Sequence, residues 1–259
     1  MADDAITEAG ATGGPAVAAR AALAGDGFAL LRAQAMRALL RQHGFPEAAA
    51  GWHSFAASWN DLGLDLYMAD GGRYRRRRHA TFSVATAAGE GGRIERKPHQ
   101  PHYQSRDYNM LNGGVERWFK PISDEIGTHP VLHSILTACN AIFTSLTPPD
   151  ARPAAWHVEL HQFRIEARPD QAGLPTPEGP HRDGVDWVLV LLVARENVES
   201  GETNIHDLQK RLLGSFTLSE PLDTALVDDG RVYHGVTGVR PVHPERPAYR
   251  DVLVVTFRR

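Results

Sequence analysis

The chain has 259 residues, a formal net charge of −3, a hydrophobic fraction of 42% and a charged fraction of 23%. These values are ordinary for a globular domain, and the lack of a global basic field argues against a nucleic-acid partner. The single cysteine, Cys139, excludes an internal disulfide and a thiolate zinc site, and this usage predicts a cytoplasmic protein. The N-terminus lacks the apolar core of a secretory signal, and no run of about 18 apolar residues occurs, so we expect no membrane segment.

The N-terminal part is predicted to be mainly helical. Residues 1–14 are small and rich in glycine, so we expect them to be disordered. Hydrophobic spacing predicts a short strand at residues 27–31, a helix at residues 33–42 and a second helix at residues 46–62. Pro46 suits the first turn of that second helix, where its missing N–H costs nothing.

Two polar segments follow. Residues 73–85 are predicted to be extended and contain the charge run from Arg75 to Arg78. These arginines either alternate between the two faces of a strand, or one of them meets the carboxylate of a substrate, and the pattern does not say which. Residues 98–121 mix polar and aromatic side chains without a period. They are either an ordered loop that lines a pocket or a plain long connection, which is uncommon without a role.

Residues 129–146 form the clearest predicted helix, because apolar side chains recur every three or four residues and make one stripe. Cys139 lies on this stripe, which favours a small core residue over a nucleophile. From residue 154 onward the pattern changes to short strands separated by Gly, Pro, Asn and Asp. We predict these strands at residues 156–167, 186–194, 203–206, 215–218, 224–227, 232–239 and 251–258.

Helices followed by a run of short strands predict an α+β, mainly β, fold. The strands are expected to form an antiparallel barrel or double sheet, with the N-terminal and flanking helices packed outside. We expect one domain over residues 15–259, with a helical part at 15–150 and a strand-rich, metal-binding part at 151–259. The oligomeric state stays open, and a homodimer is one alternative.

A candidate metal site lies in the strand-rich part. In an extended chain the side chains at i and i+2 point to the same face, so His181 and Asp183 can both aim into a barrel while Arg182 points away. His234 follows 51 residues after Asp183, behind a turn, and supplies a third ligand. Two histidines and one carboxylate leave three open positions on an octahedral iron, as in non-haem Fe(II) oxygenases.

A basic residue beyond the third ligand points to the co-substrate. Arg250 stands at the head of the last predicted strand, 16 residues after His234. An arginine there can hold the distal carboxylate of 2-oxoglutarate with two parallel hydrogen bonds. Arg240, which follows His234 more closely in the sequence, is the alternative for this role. We favour Arg250, because a residue at the start of a strand points inward more reliably than a residue in a loop. Taken singly, His181 and Asp183 could equally be turn residues, and the weight of the motif comes from the whole set.

Beyond these residues, the sequence resembles a bacterial 2OG-Fe dioxygenase family that includes the L-isoleucine dioxygenases, which hydroxylate free amino acids. The resemblance runs from about residue 73 to the C-terminus. Its matching stretches are HQPHYQSRDYN, GGVERWFKP, HQFRIEA, PTPEGPHRDGVDWVLVLLVAREN, SGETNIHD, DDGRVYHGVTGVRP and YRDVLVVTF.

This resemblance implies a double-stranded β-helix (a jelly roll, cupin-like) with Fe(II) at one mouth. It assigns iron to His181, Asp183 and His234, and the 2-oxoglutarate carboxylate to Arg250. Thr203 and Thr237 are placed near the metal, where either can hydrogen-bond 2-oxoglutarate. The implied reagents are Fe(II), 2-oxoglutarate and O₂, with ascorbate as a stimulant. The implied products are succinate, CO₂ and a hydroxylated substrate. Because the related halogenases lack the aspartate, its presence argues against halogenation.

A zwitterionic substrate would also need groups for its two charges. Glu178 and Asp186 are candidates for its ammonium group and Arg164 for its carboxylate, while Trp187 is a candidate pocket wall. Each has a structural alternative: a turn cap for Glu178, a loop hydrogen bond for Asp186, an ion pair for Arg164 and the core for Trp187.

The expected function is hydroxylation of an unactivated C–H bond in a small substrate, a free aliphatic L-amino acid first. One alternative keeps the iron chemistry and acts on a peptide-bound residue or a biosynthetic intermediate. Another is a cupin-like protein that binds a metal or ligand without turnover. The expected partner is a small molecule, with neither nucleic acid nor membrane involved.

Overall fold

The computed structural model describes residues 13–86 and 92–259. Most of the segment predicted to be disordered, residues 1–12, lies outside the described residues. The helices are α1 (Pro15–Asp26), α2 (Ala33–Arg41), α3 (Ala49–Ala57), α4 (Asp124–Gly127) and α5 (Pro130–Leu146). The strands are β1 (Phe28–Leu31), β2 (Gly63–Leu64), β3 (Arg75–Ala85), β4 (Ile94–Arg96), β5 (Ala155–Ala167), β6 (Trp187–Glu196), β7 (Val198–Ser200), β8 (Glu202–Asp207), β9 (Leu212–Thr217), β10 (Thr224–Asp228), β11 (Val232–Val236), β12 (Val239–Pro241) and β13 (Ala248–Arg258).

The strands form a double sheet. The large antiparallel sheet has the order β1-β10-β6-β13-β5-β3-β2, with β4 paired to β3, and so it joins strands from both halves of the chain. A three-stranded sheet, β11-β8-β9, packs against it through a shared core, and β12 pairs with β7. This architecture confirms the expected jelly roll.

Strand alternation divides the large sheet into two faces. On β13, Leu253, Val255 and Phe257 join the core beneath the helices. The intervening positions, such as Arg250 and Val254, line a cavity on the opposite face. The same alternation runs along β5 and β3, so the register of these three strands decides which side chains meet inside the jelly roll.

Helix α5 packs its apolar stripe on the outer face of the large sheet, as predicted. Cys139 on this stripe is 2% exposed, and its burial raises the pKa of the thiol, which confirms it as a core residue. Phe143 stacks on Trp187 of β6 at a centroid distance of 5.2 Å. None of the helices in the described part of the chain combines the length and hydropathy needed to cross a lipid bilayer.

Two predictions of local structure were wrong, and one helix was missed. Helix α3 begins at Ala49 and not at Pro46, because Ala48 is extended and acts as its N-cap residue. The single strand predicted at residues 232–239 is two strands, since the chain changes partner from β8 to β7 at this point. Helix α1 was missed: its small residues bury only Ala19 and Leu23, and so they give a weak periodic signal.

Candidate metal centre and cavity

His181, Asp183 and His234 come together at one end of the jelly roll. His234 lies on β11, and its backbone exchanges two hydrogen bonds of 2.9 Å with the backbone of His181. The Nε2 atom of His181 lies 3.5 Å from one Asp183 oxygen, and the Nε2 atom of His234 lies 3.6 Å from the other. Two imidazoles and a carboxylate with this spacing can hold one divalent ion and leave coordination positions open.

The neighbouring groups orient these ligands. Nδ1 of His181 donates to the carbonyl oxygen of Gly179 at 3.0 Å, which leaves Nε2 free to face a metal. Asp229 accepts from three consecutive backbone N–H groups: that of Asp183 at 2.8 Å, and those of Gly184 and Val185 at 2.8 and 3.1 Å. The Asp229 carboxylate therefore fixes the loop that carries a ligand.

The charges of the trio suit a cation. Burial lowers the pKa of His181, but the Asp183 carboxylate outweighs burial and raises that pKa to about 9. Burial disfavours ionisation of Asp183, yet the two histidines hold its pKa below the usual range. Burial and the nearby His181 lower the pKa of His234 to about 4. Without a metal, the protonated His181 is the positive partner of the Asp183 carboxylate, and a metal ion would take over that role when bound.

Asp229→Asn is expected to weaken metal binding by about 10- to 100-fold, the usual effect of losing a group that orients a ligand. An amide has one acceptor oxygen and cannot serve all three N–H groups, and each unpaired donor costs about 1–3 kcal/mol. Titration with Mn(II) measures the change in affinity. Asp228→Asn is the matched control, because Asp228 bonds the Gly230 N–H and not the ligand loop. Equal affinities in both variants would contradict this role.

A cavity of about 270 Å³ opens beside the trio. Its walls come from β3, β5 and β13 and from the segment of residues 98–121, which confirms that this segment lines a pocket. The volume is of the size that suits a small molecule. In the described chain, Arg75 and Arg77 point into the cavity. Arg76 and Arg78 lie on the opposite face of β3 and pair with Glu166 and Asp61.

Arg250 is buried in the cavity wall, with 1% of its surface exposed. Its Nε and Nη2 atoms have no hydrogen-bond partner within the described chain. Burial, and then the charge of Arg195, lower its pKa to about 10. A buried guanidinium with two free N–H edges fits a carboxylate. Arg240 is exposed at the surface and lies outside the cavity.

The structure separates the candidate substrate residues. Glu178 lines the cavity, and its Oε2 atom is buried without a hydrogen-bond partner in the described chain. Side chains alternate between the two faces of β5, and Arg164 lies on the face away from the cavity. Its guanidinium binds Asp251 at 2.7 and 2.8 Å. Asp186 binds the backbone N–H and the guanidinium of Arg259, so it too lies outside the cavity.

Three further candidates also lie outside the cavity lining. Trp187 belongs to the core beneath α5, where its stacking on Phe143 holds it. The hydroxyl of Thr237 accepts from the backbone N–H of Glu202 at 2.9 Å, and Thr203 is buried in β8. The cavity is instead lined by two other threonines, Thr176 and Thr256.

No pattern in the sequence predicts a second cluster, which surrounds Glu159 on β5. His79, His102 and His161 present nitrogen atoms to this carboxylate, and together the four residues could hold a metal ion. Arg77, however, donates to Nδ1 of His161 at 2.7 Å, so a neutral His161 carries its proton on Nε2, the atom that faces Glu159. We therefore interpret the cluster as a polar network around Glu159, in which Nε2 of His79 lies 3.6 Å from a Glu159 oxygen, beyond hydrogen-bond distance. The register of β3 on β5 brings His79, Glu159 and His161 together, and the segment of residues 98–121 adds His102.

This network predicts acid sensitivity. Burial lowers the pKa of His79, His161 and His102, the last to about 4, and Arg77 adds repulsion while Glu159 partly offsets it. The folded histidines stay neutral where the unfolded chain takes up protons near pH 6.5. Their contribution to stability is therefore complete above about pH 6.5 and is lost as the pH falls toward 4.

Each histidine that behaves this way makes the free energy of unfolding fall by about 1.4 kcal/mol per pH unit in that window. Urea denaturation at pH 7, 6 and 5 measures the slope. His79→Leu should reduce the slope by the contribution of one histidine, about 1.4 kcal/mol per pH unit. Both ring nitrogens of His79 are buried without a hydrogen-bond partner in the described chain, so this side chain resists protonation. His53→Gln, on the exposed side of α3, is the control. A flat profile in the wild type would contradict the prediction.

Comparison with known proteins places this site in context. A family model described as 2OG-Fe dioxygenase matches residues 56–256. The solved structure of a bsmA homolog from Methylobium petroleophilum PM1 is 37% identical and superposes with a TM-score of 0.83, covering 95% of this chain and 93% of that chain. The structure of IDO from Bacillus thuringiensis has a TM-score of 0.75 at 18% identity, covering 93% and 98% of the two chains, and this likeness supports the fold alone.

A curated relative, the L-isoleucine-4-hydroxylase of Bacillus thuringiensis, is 31% identical over 159 residues. The matched region covers 60% of this chain and 64% of that protein, so it spans just under two thirds of the relative's length.

Proposed function

The chain belongs to the 2OG-Fe dioxygenase family, and on this premise we propose that it hydroxylates an unactivated C–H bond of a free aliphatic L-amino acid, with release of succinate and CO₂. The observation that carries the proposal is the pairing of two sites in one cavity. The trio His181, Asp183 and His234 lies beside Arg250, whose guanidinium is buried and has free N–H edges.

The residues of the chain then have separate tasks. Iron(II), 2-oxoglutarate and O₂ supply the oxidising chemistry when bound, and the protein supplies placement and exclusion of water. His181, Asp183 and His234 hold the metal, and Arg250 holds the distal carboxylate of 2-oxoglutarate. Because Asp183 is present, the metal keeps three protein ligands, which favours hydroxylation over halogenation.

A free amino acid suits the remaining cavity. Glu178 lies 3.6 Å from Nδ1 of His181, and its unpartnered Oε2 atom can accept a hydrogen bond from an ammonium group beside the metal. The name of the curated relative, L-isoleucine-4-hydroxylase, supports the same substrate class. The small cavity suits a single amino acid better than a residue within a peptide.

Glu178→Gln tests the ammonium site. Loss of the charge-assisted bond, about 1.5–3 kcal/mol, should raise KM for the amino acid by about 10- to 100-fold while the affinity for 2-oxoglutarate stays unchanged. Glu166→Gln on the outer surface is the control, because Glu166 pairs with Arg76 outside the cavity. Equal KM values for both variants would remove Glu178 from the substrate site.

The substrate class itself is tested by succinate release with Fe(II), 2-oxoglutarate and ascorbate. The twenty L-amino acids are compared with short peptides that contain the same residues. We expect stimulation by one or a few aliphatic amino acids. Stimulation by peptides alone would favour a peptide-bound substrate, and bound metal with no O₂ consumption would favour a binding protein without turnover.

We further propose that the enzyme acts in the cytoplasm on small molecules, with neither nucleic acid nor membrane as partner. The single buried cysteine and the net charge of −3 support this assignment.

A further inference from the structure

Three buried arginines occupy the cavity wall in addition to Arg250. Arg75 and Arg77 come from β3, and Arg117 comes from the segment of residues 98–121, where its backbone pairs with His102. Their exposed fractions are 6%, 3% and 2%, although long cationic side chains usually keep their charge in water. So many buried guanidinium groups in one small cavity need anionic partners.

Within contact distance, the three arginines have fewer carboxylates than they have positive charges, although Glu159 and Glu178 line the same cavity. Asp65 is fully buried and accepts from Nε of Arg75 at 2.7 Å, and it lies 3.6 Å from Nη1 of Arg77. Arg117 has no carboxylate within 4.0 Å in the described chain, and its Nη2 donates to the side-chain oxygen of Gln104 at a long 3.4 Å. One carboxylate therefore serves two arginines, and the third has none.

Several donors of the cluster are also unused. Nη2 of Arg75, Nε of Arg77 and Nε of Arg117 are buried and have no hydrogen-bond partner within the described residues. Burial, followed by repulsion from Arg75, lowers the pKa of Arg117, and burial dominates the lowering for Arg77. An added anion would relieve both the repulsion and the unpaired donors.

The cluster is also close to the metal centre. Gln104 lies next to Arg117, and its amide nitrogen is 3.3 Å from an Asp183 oxygen. Asn109 donates to Gln104 at 3.1 Å and lies 3.4 Å from Glu178. A short chain of polar contacts thus connects the arginines, the proposed ammonium site and a proposed metal ligand, and all three line the same cavity.

We propose that Arg117, assisted by Arg75 and Arg77, binds the α-carboxylate of the substrate. This inference rests on the proposed function and adds which residues recognise the free carboxylate of the substrate. The carboxylate binds the arginines while the ammonium group binds Glu178, and the two contacts hold the α-carbon at two points. The co-substrate keeps its own arginine, Arg250.

Matched pairs of substrates test this inference without any mutation. Each L-amino acid is compared with its α-carboxamide, which keeps the ammonium group and removes the negative charge. For the amino acid that most stimulates succinate release, we expect the carboxamide to be used about 100-fold less well, in line with the loss of one partner of a buried charge pair. Equal use of acid and carboxamide would overturn the inference.

Variants then identify the residues. Arg117→Met should remove the preference for acid over carboxamide. Arg117→Lys should retain part of this preference, because lysine keeps the positive charge but cannot donate the two parallel hydrogen bonds of a guanidinium. Arg76→Met, on the outer face of the same strand as Arg75, should leave the preference unchanged. Calorimetric titration of the Ni(II)-loaded protein measures 2-oxoglutarate binding, which should match the wild type in all three variants. Weaker 2-oxoglutarate binding in Arg117→Met, with acid preference intact, would assign the cluster to the co-substrate and overturn the inference.

The same panel separates the two proposals. N-acetyl amino acids keep the carboxylate and lack the ammonium group. Their preferential use would contradict the free amino acid as substrate and leave the carboxylate site supported. If no compound with a carboxylate stimulates succinate release, both proposals fail.

Discussion

Arg250→Ala should raise the 2-oxoglutarate concentration needed for half-maximal turnover by roughly two to three and a half orders of magnitude. Removing one partner of a buried ion pair costs about 3–5 kcal/mol, and each 1.4 kcal/mol is a factor of ten in affinity. Arg250 is buried and its Nε and Nη2 atoms have no partner in the described chain, so its guanidinium is available to pair with the distal carboxylate. Succinate formation at varied 2-oxoglutarate concentrations measures the effect.

Two control variants make this result specific. Arg250→Lys should lie between alanine and wild type, since lysine supplies a charge without the bidentate fork. Arg240→Ala should behave like the wild type, because Arg240 is exposed outside the cavity. Affinity for Mn(II) should be unchanged in both Arg250 variants. If Arg250→Ala requires no more 2-oxoglutarate than the wild type, the co-substrate site lies elsewhere.

Asp183→Ala should abolish stimulated succinate formation and weaken metal binding by more than about 100-fold. Loss of a group that only orients a ligand already costs about 10- to 100-fold, and Asp183 supplies the one carboxylate of the trio. The remaining His181 and His234 would have no anion between them. Mn(II) titration and succinate assays measure the two effects, and His181→Ala and His234→Ala should act in the same direction.

Asp186→Asn is the matched control for this variant. Asp186 lies three residues further along the chain, and its carboxylate binds Arg259 outside the cavity. It should therefore keep metal affinity and turnover close to the wild-type values. If Asp183→Ala retained both properties in a folded protein, the proposed metal centre would be wrong.

Local patterns in the sequence predicted much of the fold. The apolar stripe of α5 and the alternation along β5 and β13 are properties of single segments, so spacing alone revealed them. The proposed metal trio also left a local trace, because His181 and Asp183 are two residues apart. Helix α1 left only a weak trace, since alanines dominate it.

The rest of the cavity depends on long-range register. Arg164 and an unspecified member of the run from Arg75 to Arg78 were both candidates for a substrate carboxylate. The side of the strand decides between them, because Arg164 faces Asp251 whereas Arg75 faces the cavity. Glu159 meets His79 and His102 only because β3 pairs with β5 and the segment of residues 98–121 folds over both. Arg117 lies in a segment without a period, so nothing in the sequence connects it to β3.

The measurement that tests the central claim most directly is the product mass after aerobic incubation with Fe(II), 2-oxoglutarate, ascorbate and a mixture of free L-amino acids. We expect one aliphatic amino acid to gain the mass of a single oxygen atom, in step with succinate and at a rate that falls to background in Asp183→Ala. If 2-oxoglutarate is consumed and no amino acid gains an oxygen, the account of the substrate is contradicted. If 2-oxoglutarate is not consumed under any of these conditions, the proposed activity itself is contradicted.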